Sequence, residues 1–390
     1  MKKSMLTISV LDIATYSMVV KTFLSLSVAI PSNDIIDSIL TVIFILTVIY
    51  SILRKNYKQK ELIVIFGISL VLLYTSLTNK YYDPLISFLF IIAIKNSDIN
   101  SIIKKIYKCN LYMLALHSIF TVVGLISGRI VLINFIRGVY RVNLGFVHPN
   151  SFGAFCFVMI SMNLWINYEV LNRKKYLFSI FIAVVCFFLS QSRTAFFLSI
   201  ICIILVMLSK RNALLIKCVN LAAKILFPLS ALFVYVLVRL YEKGSEIAIL
   251  FDNFLTGRIN LGAFALNRVG FTYLGRFIDF YGRLASYQAD YTLNTFTFDC
   301  IYTFMFCSMG LIYVVIFSLL FYLLAKRKNV LINIYLILWI LYGITEVTCL
   351  NGFNFFPFFL LVVLINKKSY ITNEGGTIYE RNCIGDNTDL

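Results

Sequence analysis

Charge is scarce in this chain: only 14% of its 390 residues are Asp, Glu, Lys or Arg, alongside two histidines, five prolines and two tryptophans. So little charge cannot cover a water-facing surface, which excludes an ordinary soluble domain. The nine cysteines form no CxxC pair, and none falls in the long polar segment 242–298, so neither disulfides nor a thiolate zinc site is expected. No DxD pair or comparable hard-metal constellation stands out, which favours chemistry that needs no metal or other cofactor. The start, MKKSM, lacks a small-residue cleavage site after a clean apolar run, and reads as leading into a retained first span.

What is there is apolar: 60% of the residues are hydrophobic and 16% aromatic, with a mean hydropathy of +0.88. The apolar residues come in blocks separated by short polar clusters, and a helix needs about 20 residues to cross a hydrocarbon core. The blocks fall at 6–30, 35–53, 61–78, 82–95, 110–127, 149–167, 176–190, 194–209, 220–240, 300–324, 330–345 and 352–366. They predict an all-α polytopic membrane protein of about twelve transmembrane helices. One domain spans 1–366 and includes a long external loop, 242–298; a polar tail follows at 367–390.

Lysine-rich connections at 54–60, 95–108, 172–175, 209–212, 325–328 and 366–368 alternate with the rest. By the positive-inside rule they face the cytoplasm, with both termini, and the membrane is the cytoplasmic one. The outward connections are then 31–34, 78–80, 128–146, 191–193, 242–298 and the turn near Glu346 and Asn351. Under that topology the inside carries seventeen lysines and five arginines, and the outside two lysines and nine arginines. A net charge of +17 with no soluble basic domain to hold it excludes nucleic acid as a partner. An arginine-rich outer face suits phosphate, because guanidinium presents a planar fork of donors. The same arginines would also suit simple snorkelling at the membrane edge.

Three arginine groups stand out. GRIVLINFIRGVYRVN (128–143) sets Arg129, Arg137 and Arg141 among apolar residues, a pattern suited to a helix lying in the interface. Arg193 sits in a tight turn, LSQSRTAFF, where Ser192 or Thr194 is a candidate helix cap. The external loop carries Arg258 and Arg268 in LTGRINLGAFALNRVGF, with Thr256 as a candidate cap for an amphipathic helix, then Arg276 and Arg283. A diphosphate beside two or three such groups gains about 4 kcal/mol of Coulomb energy per close pair at an effective dielectric near 20, before desolvation.

His148 opens HPNSFG, where Pro149 suits a first helical turn and Asn150 or Ser151 can satisfy free N–H groups. It reads either as a polar helix start or as a proton acceptor for a sugar hydroxyl. His117, inside an apolar block, reads as a packed residue. Asp299, at the mouth of a span, and Glu346, near Asn351 and Asn354, are rival bases, since a carboxylate at a membrane edge is costly unless used or paired.

The order of RVNLGFVHPNSFG (141–153), SQSRTAFF (190–197), LTGRI (255–259), FTFDCIYTFMFCSMG (296–310) and EVTCLNGFNFF (346–356) resembles the Wzy polysaccharide polymerases of capsule and exopolysaccharide clusters, within the O-antigen polymerase and ligase superfamily. The first 130 residues match only as hydrophobic spans. The resemblance implies a GT-C-like bundle and a glycosyltransferase that joins undecaprenyl-diphosphate oligosaccharide repeat units at the outer face. Its expected partners are that substrate, the lipid bilayer, a repeat-unit flippase and a chain-length regulator. His148, Arg193 and Arg258 would be catalytic. Arg141, Arg268 and Arg276 would hold diphosphate, and Asn150, Asp299, Glu346 and Asn351 would support them. The loop 242–298 lacks the histidine of the related ligases, which argues against a ligase-like transferase and leaves the base open. A flippase for the lipid-linked saccharide is the rival from another class. It would need charges midway along several helices, and Asp12 and Lys21 are nearly the only clear ones.

Overall fold

Short polar side chains between the apolar runs start the helices by receiving their first free N–H groups. Ser9 and Asp12 close a reciprocal cap on α1 (Val10–Leu26), and Asn33 caps α2 (Asp34–Leu53). Asp98 caps α5 (Ile99–Ile126), and Asn172, Asn212 and Asn329 do the same for α7 (Arg173–Ser190), α9 (Ala213–Glu242) and α14 (Val330–Tyr342). Between these lie α3 (Gln59–Asn79), α4 (Asp83–Ala93), α6 (Pro149–Ile166), α8 (Arg193–Ser209), α10 (Glu246–Phe254), α11 (Arg258–Val269), α12 (Ile301–Phe304) and α13 (Leu311–Ala325). The structure, a computed structural model, describes residues 9–128, 133–136, 139–278 and 298–366. The tail 367–390, Arg129, Arg137, Arg283 and much of the loop 242–298 lie outside the described residues.

Five helices, α2, α3, α5, α6 and α9, are long and apolar enough to cross a membrane, and α4, α8, α13 and α14 are shorter apolar helices. This is an all-α, multi-pass membrane architecture. In α2 and α3 only 17% of the apolar window is buried, leaving Ile39, Leu46, Phe66 and Leu77 to face lipid. In α6 the share is 67%, which puts that helix inside the bundle. Helix α14 is also central: Trp339 stacks on Phe317 and Phe358, meets Phe321 edge-on, and donates its indole N–H to the Cys349 carbonyl at 2.8 Å.

Hydrogen bonds tie the connections together at each end of the bundle. At one end, Ser27 pairs with Phe146, Asn351 donates to Asp83, Arg141 donates to the Ser190 carbonyl, and Arg258 donates to the Thr345 carbonyl. At the other, Lys55 donates to the Lys95 carbonyl, Asn96 N–H to Asn366, Trp165 to Asn100, and Lys210 to the Glu169 carbonyl. Connections therefore alternate between ends, as the lysine pattern implies.

Four local expectations need correction. The segment 95–108 is mostly helix, because Asp98 starts α5 there; Lys104, Lys105 and Lys108 lie on that helix, and Lys105 pairs with Asp12. The segment 128–143 holds an antiparallel hairpin, β1 (Ile133–Ile136) and β2 (Val139–Val142), with Asn134 opposite Arg141, not an interfacial helix. Its β-branched residues suit a strand better than a helix. The span at 300–324 is broken: α12 passes into a wide π turn, Met305–Met309, and the chain reorients at Gly310 (φ 112°) before α13. The last apolar run winds as a tight 3-10 helix, Phe356–Leu364, after a shorter one at Val347–Leu350.

Candidate functional site

The hairpin carries Arg141 toward the first turn of α6. Its guanidinium donates to the Ser190 carbonyl at 2.8 Å and to the Asn150 side-chain oxygen, so it bridges the start of α6 and the end of α7. Glycine at 153 makes that approach possible. A Cβ there would lie 2.5 Å from the Ser192 Cβ and 3.1 Å from the Ser190 hydroxyl, so the α7–α8 turn rests directly on α6. Ser192 occupies the cap position of α8 but makes no side-chain cap bond. Arg193 follows it, exposed, with no hydrogen bond or ion pair among the described residues.

His148 is the cap of α6, and its Nδ1 accepts the N–H of Asn150 at 3.1 Å. A neutral ring in that bond holds its proton on Nε2, which makes the exposed nitrogen a donor. Burial holds the imidazole below its ordinary range; the charge of Arg141 adds to this and that of Asp299 opposes it. His117 is packed as expected. Its ring bonds the Ser27 hydroxyl and the Leu144 carbonyl, each at 2.8 Å, and lies against Phe146, which pins the loop before His148 to α5.

The second arm of the site comes from α10 and α11. Asp252, not Thr256, caps α11: its carboxylate receives the N–H groups of Ile259 and Asn260 at 2.8 and 2.9 Å. Thr256 and Gly257 both have positive φ, and they turn Arg258 inward. The Arg258 side chain is only 8% exposed and donates to the carbonyls of Thr345 (2.9 Å) and Leu255 (3.0 Å) and to the Thr256 hydroxyl. It also donates to the Glu346 carboxylate at 3.3 Å, with Asp299 at 4.0 Å. Burial pushes the Glu346 carboxyl up to about 7; Arg258 opposes that shift and Asp299 adds to it.

A cavity of about 90 Å³ joins the two arms, with Asn150 and Ser151 on one wall and Glu346, Thr348 and Asn354 on another. Thr22 and Asn110 line its inner part, and Phe23, Phe155, Tyr342 and Phe353 give it aromatic faces. His148, Arg141, Asn150, Arg258, Asp299 and Glu346 are therefore brought to one place, with Arg193 at the adjoining turn.

The remaining expected residues sit elsewhere or serve the frame. Arg268 lies at the far end of α11, about 15 Å along the axis from Arg258, on an open groove of about 400 Å³ with Tyr241, Glu242, Asn260 and Asn267. Arg276 turns back on its own loop and donates to the carbonyls of Val269 and Phe271. Asn351 is 3% exposed; it donates to Asp83 and receives the N–H of Phe353, which fixes the turn behind Glu346.

Sequence reasoning passes over Asp252, Thr22 and Asn110. The two polar side chains in apolar helices were a signal available in the sequence, but nothing local marks Asp252, which acts across a loop. Among the described residues no three His, Cys, Asp or Glu side chains gather as a metal site would require. Comparison with family models, with curated proteins and with solved structures finds no match to the chain.

Proposed function

We propose that the chain is a polysaccharide polymerase: a metal-independent glycosyltransferase that moves a growing saccharide from its undecaprenyl diphosphate onto the next lipid-linked repeat unit. On this reading about twelve crossings of the cytoplasmic membrane form a GT-C-like bundle, with both termini in the cytoplasm and the site at the outer face. The observation that carries it is the convergence of Arg141, Arg258, Asp299, Glu346 and His148 beside one cavity at one end of the bundle.

A departing diphosphate needs positive charge that is already in position, and fixed charge in a low-dielectric site acts without reorganisation. Arg141 and Arg258 are fixed by carbonyls on both sides of the site, while Arg193 is exposed to meet a phosphate directly. The Nε2–H of His148 suits a phosphate or sugar oxygen better than it suits a base. A flippase reading gains little: Lys95 and Glu61 pair at the end remote from the cavity, and Asp12 is taken by Lys105.

The test is the size profile of lipid-linked and surface polysaccharide in a strain lacking this gene, with the repeat-unit flippase intact. The expected result is collapse of long polymer to single repeat units on the outer face. Accumulation of units on the inner face would replace the polymerase by a flippase, and an unchanged profile would end both readings.

A further inference from the structure

We propose that the cavity between α1, α5, α6 and the 342–354 segment is the subsite for the accepting sugar, and that Glu346 is the base that takes the proton from its hydroxyl. The proposal rests on the polymerase reading and extends it to residues from the first third of the chain.

Sugars are recognised by a mixture of flat apolar faces and converging amides, hydroxyls and carboxylates, since each ring has C–H faces and an edge of hydroxyls. The cavity has that composition. Phe155, Phe353 and Tyr342 supply the faces, and Asn150, Ser151 and Asn354 the polar edge. At its inner part the Asn110 amide N–H₂ is spent on the Ile106 carbonyl, and the Thr22 hydroxyl on the carbonyls of Met18 and Val19. Their oxygens are left as acceptors for hydroxyl donors. An isoprenoid chain would meet no such need for polar partners.

Glu346 is the one carboxylate lining the cavity, with 24% of its side chain exposed. Its charged and titratable neighbours are Arg258 from α11, Asp299 before α12, Tyr342 from α14 and Cys349 from the following turn. Only Arg258 carries positive charge, and it holds one carboxylate oxygen. A base works best with a pKa near the working pH, and Glu346 at about 7 meets that condition. His148 does not compete for the role while its Nδ1 holds the Asn150 N–H.

The step balances as follows. The acceptor O–H gives its proton to the Glu346 carboxylate as its oxygen forms a bond to the anomeric carbon of the donor saccharide. The bond from that carbon to the diphosphate oxygen breaks, and the electron pair leaves on undecaprenyl diphosphate. The Glu346 carboxyl then returns its proton to water or to the departing diphosphate.

The experiment uses the full-length protein in lipid nanodiscs, supplied with the lipid-linked single repeat units extracted from the deletion strain. Polymer formation is followed from pH 5.5 to 8.5. The wild-type rate is expected to rise with pH to a plateau above about 7. Glu346→Gln should lose about 10²–10⁴-fold and show no such rise. Ala154→Leu, which narrows the cavity from α6 and leaves every arginine in place, should raise the acceptor concentration needed for half-maximal rate at least tenfold with little change in the maximal rate. An active wild type with both variants matching it in rate, profile and acceptor dependence would overturn the subsite and leave the polymerase standing. A wild type that makes no polymer from these units would overturn the polymerase and the subsite together.

Discussion

The Arg258 guanidinium stands 3.3 Å from the Glu346 carboxylate and 2.9 Å from the carbonyl of Thr345, the preceding residue. One side chain on α11 thus fixes both the backbone and the acid of a turn far along the chain. Arg258→Ala is expected to abolish polymer growth, and removing one partner of a mostly buried pair costs about 3–5 kcal/mol. Arg258→Lys should also fail, because an ammonium cannot reach Thr345, Leu255, Thr256 and Glu346 in the plane a guanidinium uses. Polymer size on gels and thermal melting of the detergent-solubilised protein report the two effects separately. A Lys variant with wild-type polymer would show that charge alone is enough.

Gly153 sets the second arm. A Cβ 2.5 Å from the Ser192 Cβ leaves no room without movement, and overpacking of this kind costs about 1–3 kcal/mol. Gly153→Ala should lower the melting temperature and shorten the polymer, because Arg141 holds the Ser190 carbonyl across the same contact. Normal chain length in a destabilised Gly153→Ala protein would uncouple the contact from function.

His148 should behave as a cap first. Replacing it with Ala forfeits the bond from the Asn150 N–H, at about 0.5–2 kcal/mol, while His148→Asn restores a cap. Its pKa is depressed in the folded protein, so the unfolded chain binds the proton more readily. The stability this contributes is present above the unfolded value of about 6.5 and is lost as pH falls below it. Melting temperatures between pH 5 and 7 should therefore fall less steeply in His148→Asn than in the wild type. Parallel curves would remove His148 from the acid sensitivity.

Gly310 joins the broken span to the outer loop. With φ at 112°, a Cβ would lie 2.5 Å from the Tyr273 carbonyl oxygen, so Gly310→Ala meets strain and a clash together. We expect a large loss of folded protein, seen as reduced membrane yield and early melting. A Gly310→Ala protein of normal yield would mean that the 272–276 segment can leave the π turn without loss.

The helices were legible because lipid demands long apolar runs, and most runs bounded by Asn, Asp or Ser became helices capped by those residues. The start of α5 was hidden because Lys104, Lys105 and Lys108 look like a cytosolic connection; on a helix, long lysines extend from it and cost little. The hairpin was hidden because Arg141 among apolar residues fits a strand and an interfacial helix equally well. At the site, residue types were legible and partners were not. Arg141, Asn150, Arg258 and Glu346 could be picked out as polar groups at apolar edges. That Arg141 reaches the Ser190 carbonyl, or that Asp252 caps α11, depends on packing between distant segments. The scattering of Arg268 and Arg276 away from the cavity has the same cause.

The final apolar segment, Phe356–Leu364, has a further consequence. A 3-10 helix rises about 2.0 Å per residue against about 1.5 Å in an α-helix, so nine residues reach about 18 Å where an α-helix of that length would reach about 13.5 Å. With three residues per turn, its side chains fall into three straight columns. Phe356 meets Trp165 and Tyr335, Phe358 lies on Trp339 and Phe317, and Phe359 meets Phe90 and Phe353. The segment works as a three-sided key: inserting one residue would turn every ring by a third of a revolution and present each column to the wrong wall.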